Sequence, residues 1–163
     1  MSFSYALQLL SETPDAVERA VRAVPADSLH WMPQTWDAMP AERFSVAGQV
    51  CHLRDIEIDG YHLRFRRLLD EENPDLVSLD GYVLAERNRY QDSMLDDALR
   101  EFRDARAKTI AMLRDVTPGQ LQRPATWDEY GPITLLGLIH YLGSHDQQHL
   151  AALQWLMGKI TSR

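Results

Sequence analysis

Hydrophobic residues along most of this chain recur every three or four positions, the spacing of an α-helix that buries one face. The first such stretch predicts a short helix over Tyr5 to Leu10 that abuts a second, longer helix. The second is expected to begin at Thr13-Pro14, because threonine caps a helix well and proline fits its first position. Pro25 is expected to end it.

The same periodicity predicts three more helices farther along the chain. Residues 26–43 have no sustained period and predict a long ordered loop, whose tryptophans cover one end of the bundle. A shorter helical piece is expected between Gly81 and Tyr90. The three long helices are predicted to run from Ser45 to about Leu69, from near Ser93 to Thr117-Pro118-Gly119, and from Thr134 to about Gly158.

The sequence contains no strand-like alternation of useful length, no internal repeat and no evident domain boundary. Its 163 residues and 18.7 kDa are enough to bury a core without disulfides or metals. We therefore predict an all-α protein, a single four-helix-bundle domain over residues 1–163.

Composition and charge restrict the partners that are expected. With 45% hydrophobic residues, 25% charged residues and a formal net charge of -7, the chain is poorly suited to a nucleic-acid backbone. No apolar run approaches the roughly 18 residues of a membrane span. The amino terminus leads directly into amphipathic sequence, without a charged-then-apolar leader. We expect a cytoplasmic protein that binds neither nucleic acid nor membrane.

A single cysteine, Cys51, excludes an intrachain disulfide framework and a multi-cysteine zinc site. Any metal site in this chain must therefore be made of histidine with aspartate or glutamate. Cys51 itself is either a nucleophile or a small apolar residue on a helix flank.

The most informative pair of residues is His145 and His149, which are one helical turn apart. They lie on the apolar stripe of the last predicted helix, so both imidazoles are expected to face inward. A buried neutral imidazole must find partners for both ring nitrogens, and a metal ion is a common one. The stripe consists of Leu138, Leu142, His145, His149, Ala152 and Leu156.

A metal would need a third ligand, and His52 on the helix predicted from Ser45 to about Leu69 is the best candidate. It lies about two turns into its helix, and bundle metal sites are built from inward side chains of facing helices. His62 is about 15 Å farther along the same helix and cannot share the ion. His140 and His30 are placed to line the mouth of a site at most.

Two other interpretations of the histidines stay open. The run His145 to His149 resembles the His-Glu-x-x-His motif of zincin proteases, with Asp146 in place of the glutamate. The 14 residues after His149 hold no third ligand of that motif, so Asp146 is expected to lie at the solvent-exposed rim. Alternatively, the histidines are structural and bond to the backbone or to one another.

Together these features resemble the DinB/YfiT-like metalloenzyme superfamily over most of the chain. The family's pattern for its second bundle helix is similar to Ser45 to Asp55 (SVAGQVCHLRD) of this chain. The approach to the last helix and its histidine pair correspond to Glu129 to Leu135 (EYGPITL) and His145 to Leu150 (HDQQHL). Phe44, where tryptophan is common, is a small departure.

The resemblance implies an up-down-down-up four-helix bundle with a long loop between helices 1 and 2. It also implies His52, His145 and His149 as ligands of zinc, nickel or a similar divalent ion, and a homodimer. Characterised relatives include thiol-dependent S-transferases that use bacillithiol or mycothiol, and a maleylpyruvate isomerase. The family therefore constrains the reaction only loosely.

Three neutral imidazoles would leave an open position on the ion, which is typical of catalytic sites. We therefore expect a thiol-dependent S-transferase or a hydrolase that acts on a small electrophile, with a low-molecular-weight thiol as a further cofactor. Asp55 and Asp59 are candidates for orienting an imidazole, and Tyr141 and Trp155 for bordering the pocket. The alternative function is a non-enzymatic metal- or ligand-binding protein of the stress response.

Overall fold

The computed structural model describes residues 2–163, and most of them are helical. Helix α1 runs unbroken over Phe3–Arg22, so the predicted break before Thr13-Pro14 is wrong. Pro14 has no N–H to offer the Leu10 carbonyl one turn earlier, which is why proline usually interrupts a helix. Here the guanidinium of Arg106, from another helix, donates to that carbonyl (2.9 Å) and replaces the missing bond.

The long loop predicted after the first helix is present, with a 3-10 turn at Ala26–Ser28. Trp36 stacks on Trp155 of the last helix, with ring centroids 5.0 Å apart. The indole N–H of Trp155 also donates to Asp37 in the loop (2.7 Å). These contacts hold the loop against the bundle.

The helix predicted from Ser45 to about Leu69 is present, with a π-helical segment in its middle. α2 covers Val46–Asp55, the π segment Ile56–Tyr61, and α3 His62–Asp70, with no gap between them. Ser45 caps α2 as expected, and its hydroxyl accepts a hydrogen bond from the Gly48 N–H (3.2 Å). A π-helical segment widens one turn of a helix, and such segments are frequent at functional sites. The periodicity of the sequence does not reveal this one.

Helices α4 and α5 both end earlier than predicted. α4 covers Gly81–Arg87, and α5 begins close to the predicted cap, over Leu95–Leu113. The predicted end of α5 at Thr117-Pro118-Gly119 is wrong. Thr117 instead opens the separate helix α6, Pro118–Leu121, through a capping box with Gln120.

A small sheet corrects the prediction of an all-α fold. β1 (Asp75–Leu76) pairs in parallel with β2 (Pro124–Trp127), and β2 pairs antiparallel with β3 (Gly131–Thr134). Strands of two to four residues are too short to show alternation of polar and apolar positions. Gly131 has a positive φ of 73°, which suits the tight turn between β2 and β3.

Helix α7 covers Leu135–Thr161, and Thr134 caps it as predicted, accepting from the Gly137 N–H (3.1 Å). It continues past the expected stop at Gly158. In the described part of the chain, α1 and α2 each pack on α5 and α7, which forms the bundle core. Fully buried side chains there include Leu10, Val17, Val50, Phe102, Leu138 and Leu156. Among residues 2–163, no helix is both long and apolar enough to cross a membrane.

Candidate metal centre

The three histidines singled out from the sequence meet inside the bundle. Nε2 of His145 lies 3.2 Å from Nε2 of His52 and 3.1 Å from Nε2 of His149. Helix α2 supplies His52, and α7 supplies the other two from successive turns. The rings of His52 and His149 are fully buried.

Hydrogen bonds among the imidazoles cannot satisfy this arrangement. His145 Nε2 has two close neighbours but carries at most one proton or one lone pair. The Nδ1 atoms of His52 and His145 are buried and have no hydrogen-bond partner among residues 2–163. A divalent ion with Zn–N bonds of about 2.0–2.1 Å would hold its ligand nitrogens about 3.3 Å apart. The observed spacing fits such an ion.

Glu42 completes the cluster and was not found from the sequence. Its two carboxylate oxygens lie 3.5 Å from Nε2 of His52 and 3.5 Å from Nε2 of His149, respectively. One donor atom from each of the four residues lies within 4.8 Å of the others. Glu42 comes from the loop before α2, where no helical period indicates which side chains face inward.

Gln49 orients one of the imidazoles. Its side-chain oxygen accepts a hydrogen bond from Nδ1 of His149, which directs the Nε2 lone pair toward the other histidines. Its amide nitrogen donates to the carbonyls of Glu42 (2.8 Å) and Phe44 (3.4 Å). Gln49 therefore ties the loop that carries Glu42 to the histidine from α7.

Substitution of Gln49 tests this role. We expect Gln49→Ala to weaken zinc binding roughly 10- to 100-fold, because His149 loses the partner that fixes its tautomer and ring orientation. Competition with a chromogenic chelator would measure the affinity. Gln154→Ala on the exposed side of α7 is the matched control and should bind zinc as the wild type does. Equal affinities in the two variants would contradict the role of Gln49.

Gly81 allows the amino end of α4 to approach the cluster. A Cβ atom at this position would lie 2.6 Å from a Glu42 carboxylate oxygen and 2.7 Å from Cε1 of His52. Both distances are too short for any residue other than glycine. The amino end of α4 therefore packs directly against Glu42 and His52.

The surroundings keep the three imidazoles neutral. Burial, followed by the charge of His145, lowers the pKa of His52 to about 3. Burial and the positive charges of Arg106 and Arg64 lower the pKa of His145 to about 3, and burial lowers that of His149 well below its usual value. Burial raises the pKa of Glu42. Neutral imidazoles offer lone pairs, and a bound cation would stabilise the Glu42 carboxylate.

These shifts predict that the metal-free protein loses stability in mild acid. An unfolded histidine binds a proton near pH 6.5, whereas the pKa of His52 and His145 in the fold is about 3 and that of His149 is well below its usual value. Their stabilising contribution is therefore full above pH 6.5 and declines as the pH falls below it. Urea unfolding at pH 7.5, 6.5 and 5.5 in chelator would measure this decline. A variant with glutamine at all three positions should decline less steeply, and equal slopes would contradict the prediction.

The other candidate residues lie away from the imidazole nitrogens. Asp55 is buried but accepts from Arg54 (2.6 Å) and Asn88 (2.6 Å), and Asp59 pairs with Arg87. Nε2 of His62 donates to the Ala105 carbonyl (3.0 Å). The residue that orients an imidazole in the structure is Gln49. His30 and His140 line separate surface grooves.

Asp146 corrects the expectation of a solvent-exposed rim residue. It is 0% exposed and accepts from both terminal nitrogens of the Arg106 guanidinium (2.7 and 3.0 Å). Arg106 also forms a two-point bond to the buried carboxylate of Glu57 (2.9 and 2.8 Å). Helix α7 therefore presents two histidines to one neighbour and Asp146 to another. The apolar stripe of α7 does not reveal this burial, because a helix packed on several sides has more than one buried face.

Burial also distinguishes between the two interpretations of Cys51, a nucleophile or a small apolar residue. The thiol is buried, and burial raises its pKa, which disfavours the thiolate. The small apolar interpretation of Cys51 therefore fits the structure, and the nucleophile interpretation does not.

A cavity of about 200 Å³ lies beside the histidines, and His145 and Glu42 form part of its wall. Much of the remaining wall is aromatic, with Trp127 from β2, Tyr130 from the turn after it, and Tyr141 from α7. The Tyr130 ring lies 4.4 Å from that of Trp127 and 4.6 Å from that of Tyr141, between centroids. The small sheet thus closes one side of the cavity. Trp155 packs elsewhere, against the long loop.

The architecture has a counterpart among solved structures. YfiT from Bacillus subtilis matches with a TM-score of 0.83 and 22% sequence identity, over 99% of this chain and 90% of YfiT. YfiT is described as "a probable metal-dependent hydrolase with an unusual four-helix bundle topology". No curated protein matches this chain. The sequence profile of the DinB superfamily matches residues 9–153, most of the chain. This protein therefore belongs to the DinB superfamily.

Proposed function

We propose that this protein is a divalent-metal-dependent hydrolase of a small electrophile, with His52, His145 and His149 as metal ligands. The observation that carries the proposal is the convergence of three neutral imidazole nitrogens beside a cavity. Zinc or nickel suits such a ligand set. When bound, the ion would lower the pKa of a water or thiol and polarise an electrophile.

Glu42 is the residue proposed to move the proton. Its carboxylate lies at the wall of the cavity and within 3.5 Å of two imidazoles. Burial raises its pKa above the usual value of a carboxylate, which makes it a better proton acceptor than an exposed glutamate. Glu42 would accept the proton of the attacking nucleophile and pass it to the leaving group.

The size of the cavity favours water over a large thiol as nucleophile. Its volume of about 200 Å³ is below the range of roughly 300–1,000 Å³ that is usual for ligand pockets. Thiol-dependent S-transfer remains the competing reaction, because the same ligand set activates either nucleophile. A small thiol such as cysteine separates the two experimentally.

A closed, non-enzymatic metal site is the second candidate. The position of Glu42 supports it, since a fourth protein ligand would leave no open position for a nucleophile. Glu42→Gln distinguishes the candidates. If Glu42 is a proton acceptor, the variant keeps its metal and loses activity; if Glu42 is a ligand, the variant loses metal affinity.

The first test is metal content followed by turnover. Untagged protein supplied with zinc or nickel should hold about one ion per chain by plasma mass spectrometry. The loaded protein should then hydrolyse 4-nitrophenyl acetate at least about tenfold faster than the metal-free protein. Turnover only with added cysteine would favour the transferase. Metal without turnover in either condition would favour the binding protein.

We further propose a homodimer that resides in the cytoplasm and binds no nucleic acid. An apolar groove of about 550 Å³ between α1 and α7, lined in part by Leu9 and Ile139, supports the dimer. The net charge of -7 supports the absence of nucleic acid, and the lone buried Cys51 is compatible with a reducing compartment. Light scattering after gel filtration would determine the oligomeric state.

A further inference from the structure

Arg64 is a buried cation in the wall of the same cavity that His145 borders. Its side chain belongs to α3, just after the π segment, and the residue is 4% exposed. Its guanidinium donates twice to the Val77 carbonyl, from Nε (3.1 Å) and from Nη2 (2.8 Å). A carbonyl oxygen accepts these bonds without neutralising the charge.

Within residues 2–163, Arg64 has no ion-pair partner, in contrast to the other buried arginine of the interior. Arg106 is held between the carboxylates of Glu57 and Asp146. A charge that is removed from water without a counter-ion is costly to bury, so a bound anion beside it would be stabilised. Burial accordingly lowers the pKa of Arg64.

The carboxylates whose charge acts on Arg64 or that line the same cavity are bonded elsewhere or exposed. Asp128 accepts from the backbone N–H (3.0 Å) and hydroxyl (2.7 Å) of Ser78. Glu129 lies at the cavity wall but is exposed to solvent. Glu42 faces the imidazoles, where a divalent ion would more than offset its charge. With a metal in place, the cavity therefore carries an excess of positive charge.

Aromatic rings complete the surroundings of the guanidinium. The Cζ atom of Arg64 lies 4.7 Å from the Trp127 ring and 5.2 Å from the Tyr61 ring, measured to the centroids. These contacts hold the guanidinium in place and stabilise its charge in part. A fixed guanidinium next to flat apolar walls is suited to a small molecule with one anionic end and one apolar body.

We infer that Arg64 binds an anionic group of the substrate, most simply a carboxylate, while the electrophilic end of the same molecule faces the histidines. The inference rests on the proposed function for its account of the electrophilic end. The anion subsite itself depends only on Arg64 and the cavity. The substrate class is then a small aromatic or apolar molecule with a carboxylate.

Benzoate and benzamide are the probes, because they have nearly the same shape and differ in charge. Isothermal titration of zinc-loaded and metal-free wild-type protein should show benzoate binding about tenfold or more tightly than benzamide in both forms. The metal-free arm excludes direct ligation of zinc by benzoate as the cause of the preference. Comparable affinities for the two probes in metal-free wild-type protein would overturn the inference.

Variants assign the preference to Arg64. Arg64→Gln should reduce the preference to less than about twofold, and Arg64→Lys should retain part of it, because lysine keeps the charge. The control Arg67→Gln, on the same helix and paired with Glu71, should leave it unchanged. An unchanged preference in folded Arg64→Gln would overturn the inference. If zinc does not bind but the Arg64-dependent preference persists, the proposed function fails and the anion subsite stands.

Discussion

Replacing His145 and His149 together with alanine will leave this protein unable to retain a divalent metal. Two of the three convergent imidazole nitrogens are lost, and the remaining His52 and Glu42 make a two-donor site. We expect zinc affinity to fall on the order of 1000-fold or more, since these ligands supply most of the binding energy. Dialysis followed by plasma mass spectrometry would measure the metal that remains.

The matched control changes two histidines that lie outside the cluster. His62 and His140 are half-buried residues, one on α3 and one on α7. A variant with alanine at both should keep the metal content of the wild type. If the His145 and His149 variant also keeps it, the ion is bound elsewhere and the proposed function is wrong.

The site histidines could be found from the sequence because helical spacing places them on one face. His145 and His149 are one turn apart, and His52 lies at a compatible depth on a facing helix, which is where the structure has them. Helical spacing does not identify Glu42 or Gln49 as site residues. Glu42 lies in a loop without periodicity, and Gln49 is a polar residue whose role depends on a partner 100 positions away.

The predicted position of Asp146 was wrong for a different reason. The sequence predicts a rim position for Asp146 only because the residues after His149 lack the third ligand of a zincin, and that lack carries no information about a buried partner. Its partner Arg106 is 40 residues away in the chain, and no local pattern joins them. Pairs of buried charges become visible only when the helices are placed side by side.

The fold could be predicted where an element is long and is determined by residues close together in the sequence. The spans of the helices that begin after Ser45 and Thr134 follow from caps and period, and the structure places both starts as expected. The predicted break before Pro14 was wrong because the Arg106 side chain from α5 donates to the Leu10 carbonyl in place of the missing backbone N–H. The small sheet was missed because its strands gain their partners through contacts between distant segments, such as Leu76 beside Trp127.

Replacing Arg106 with methionine will destabilise the protein strongly. The variant leaves the carboxylates of Glu57 and Asp146 buried without a cation, and the Leu10 carbonyl opposite Pro14 without a donor. Loss of one partner from a buried ion pair costs about 3–5 kcal/mol. For a chain of this size that corresponds to a fall in melting temperature on the order of 10 °C.

The loss of stability in Arg106→Met should be larger at pH 7.5 than at pH 5.5. Burial already raises the pKa of Asp146, and Arg106 opposes that shift. Without Arg106 the carboxyl pKa rises further, so the variant resembles the wild type more closely at pH 5.5 than at pH 7.5, because a larger fraction of the buried carboxyl is protonated at the lower pH. Urea unfolding at the two pH values would measure both effects.

Arg103→Met is the control, because this residue occupies the solvent-exposed side of the same helix and pairs with Asp15 and Glu18 at the surface. Its loss should cost less than about 1 kcal/mol. If Arg106→Met is no more destabilising than this control at pH 7.5, the buried network does not hold α1, the π segment and α7 together. A large loss confined to Arg106→Met would instead make the network the support on which α7 presents His145 and His149 to the site.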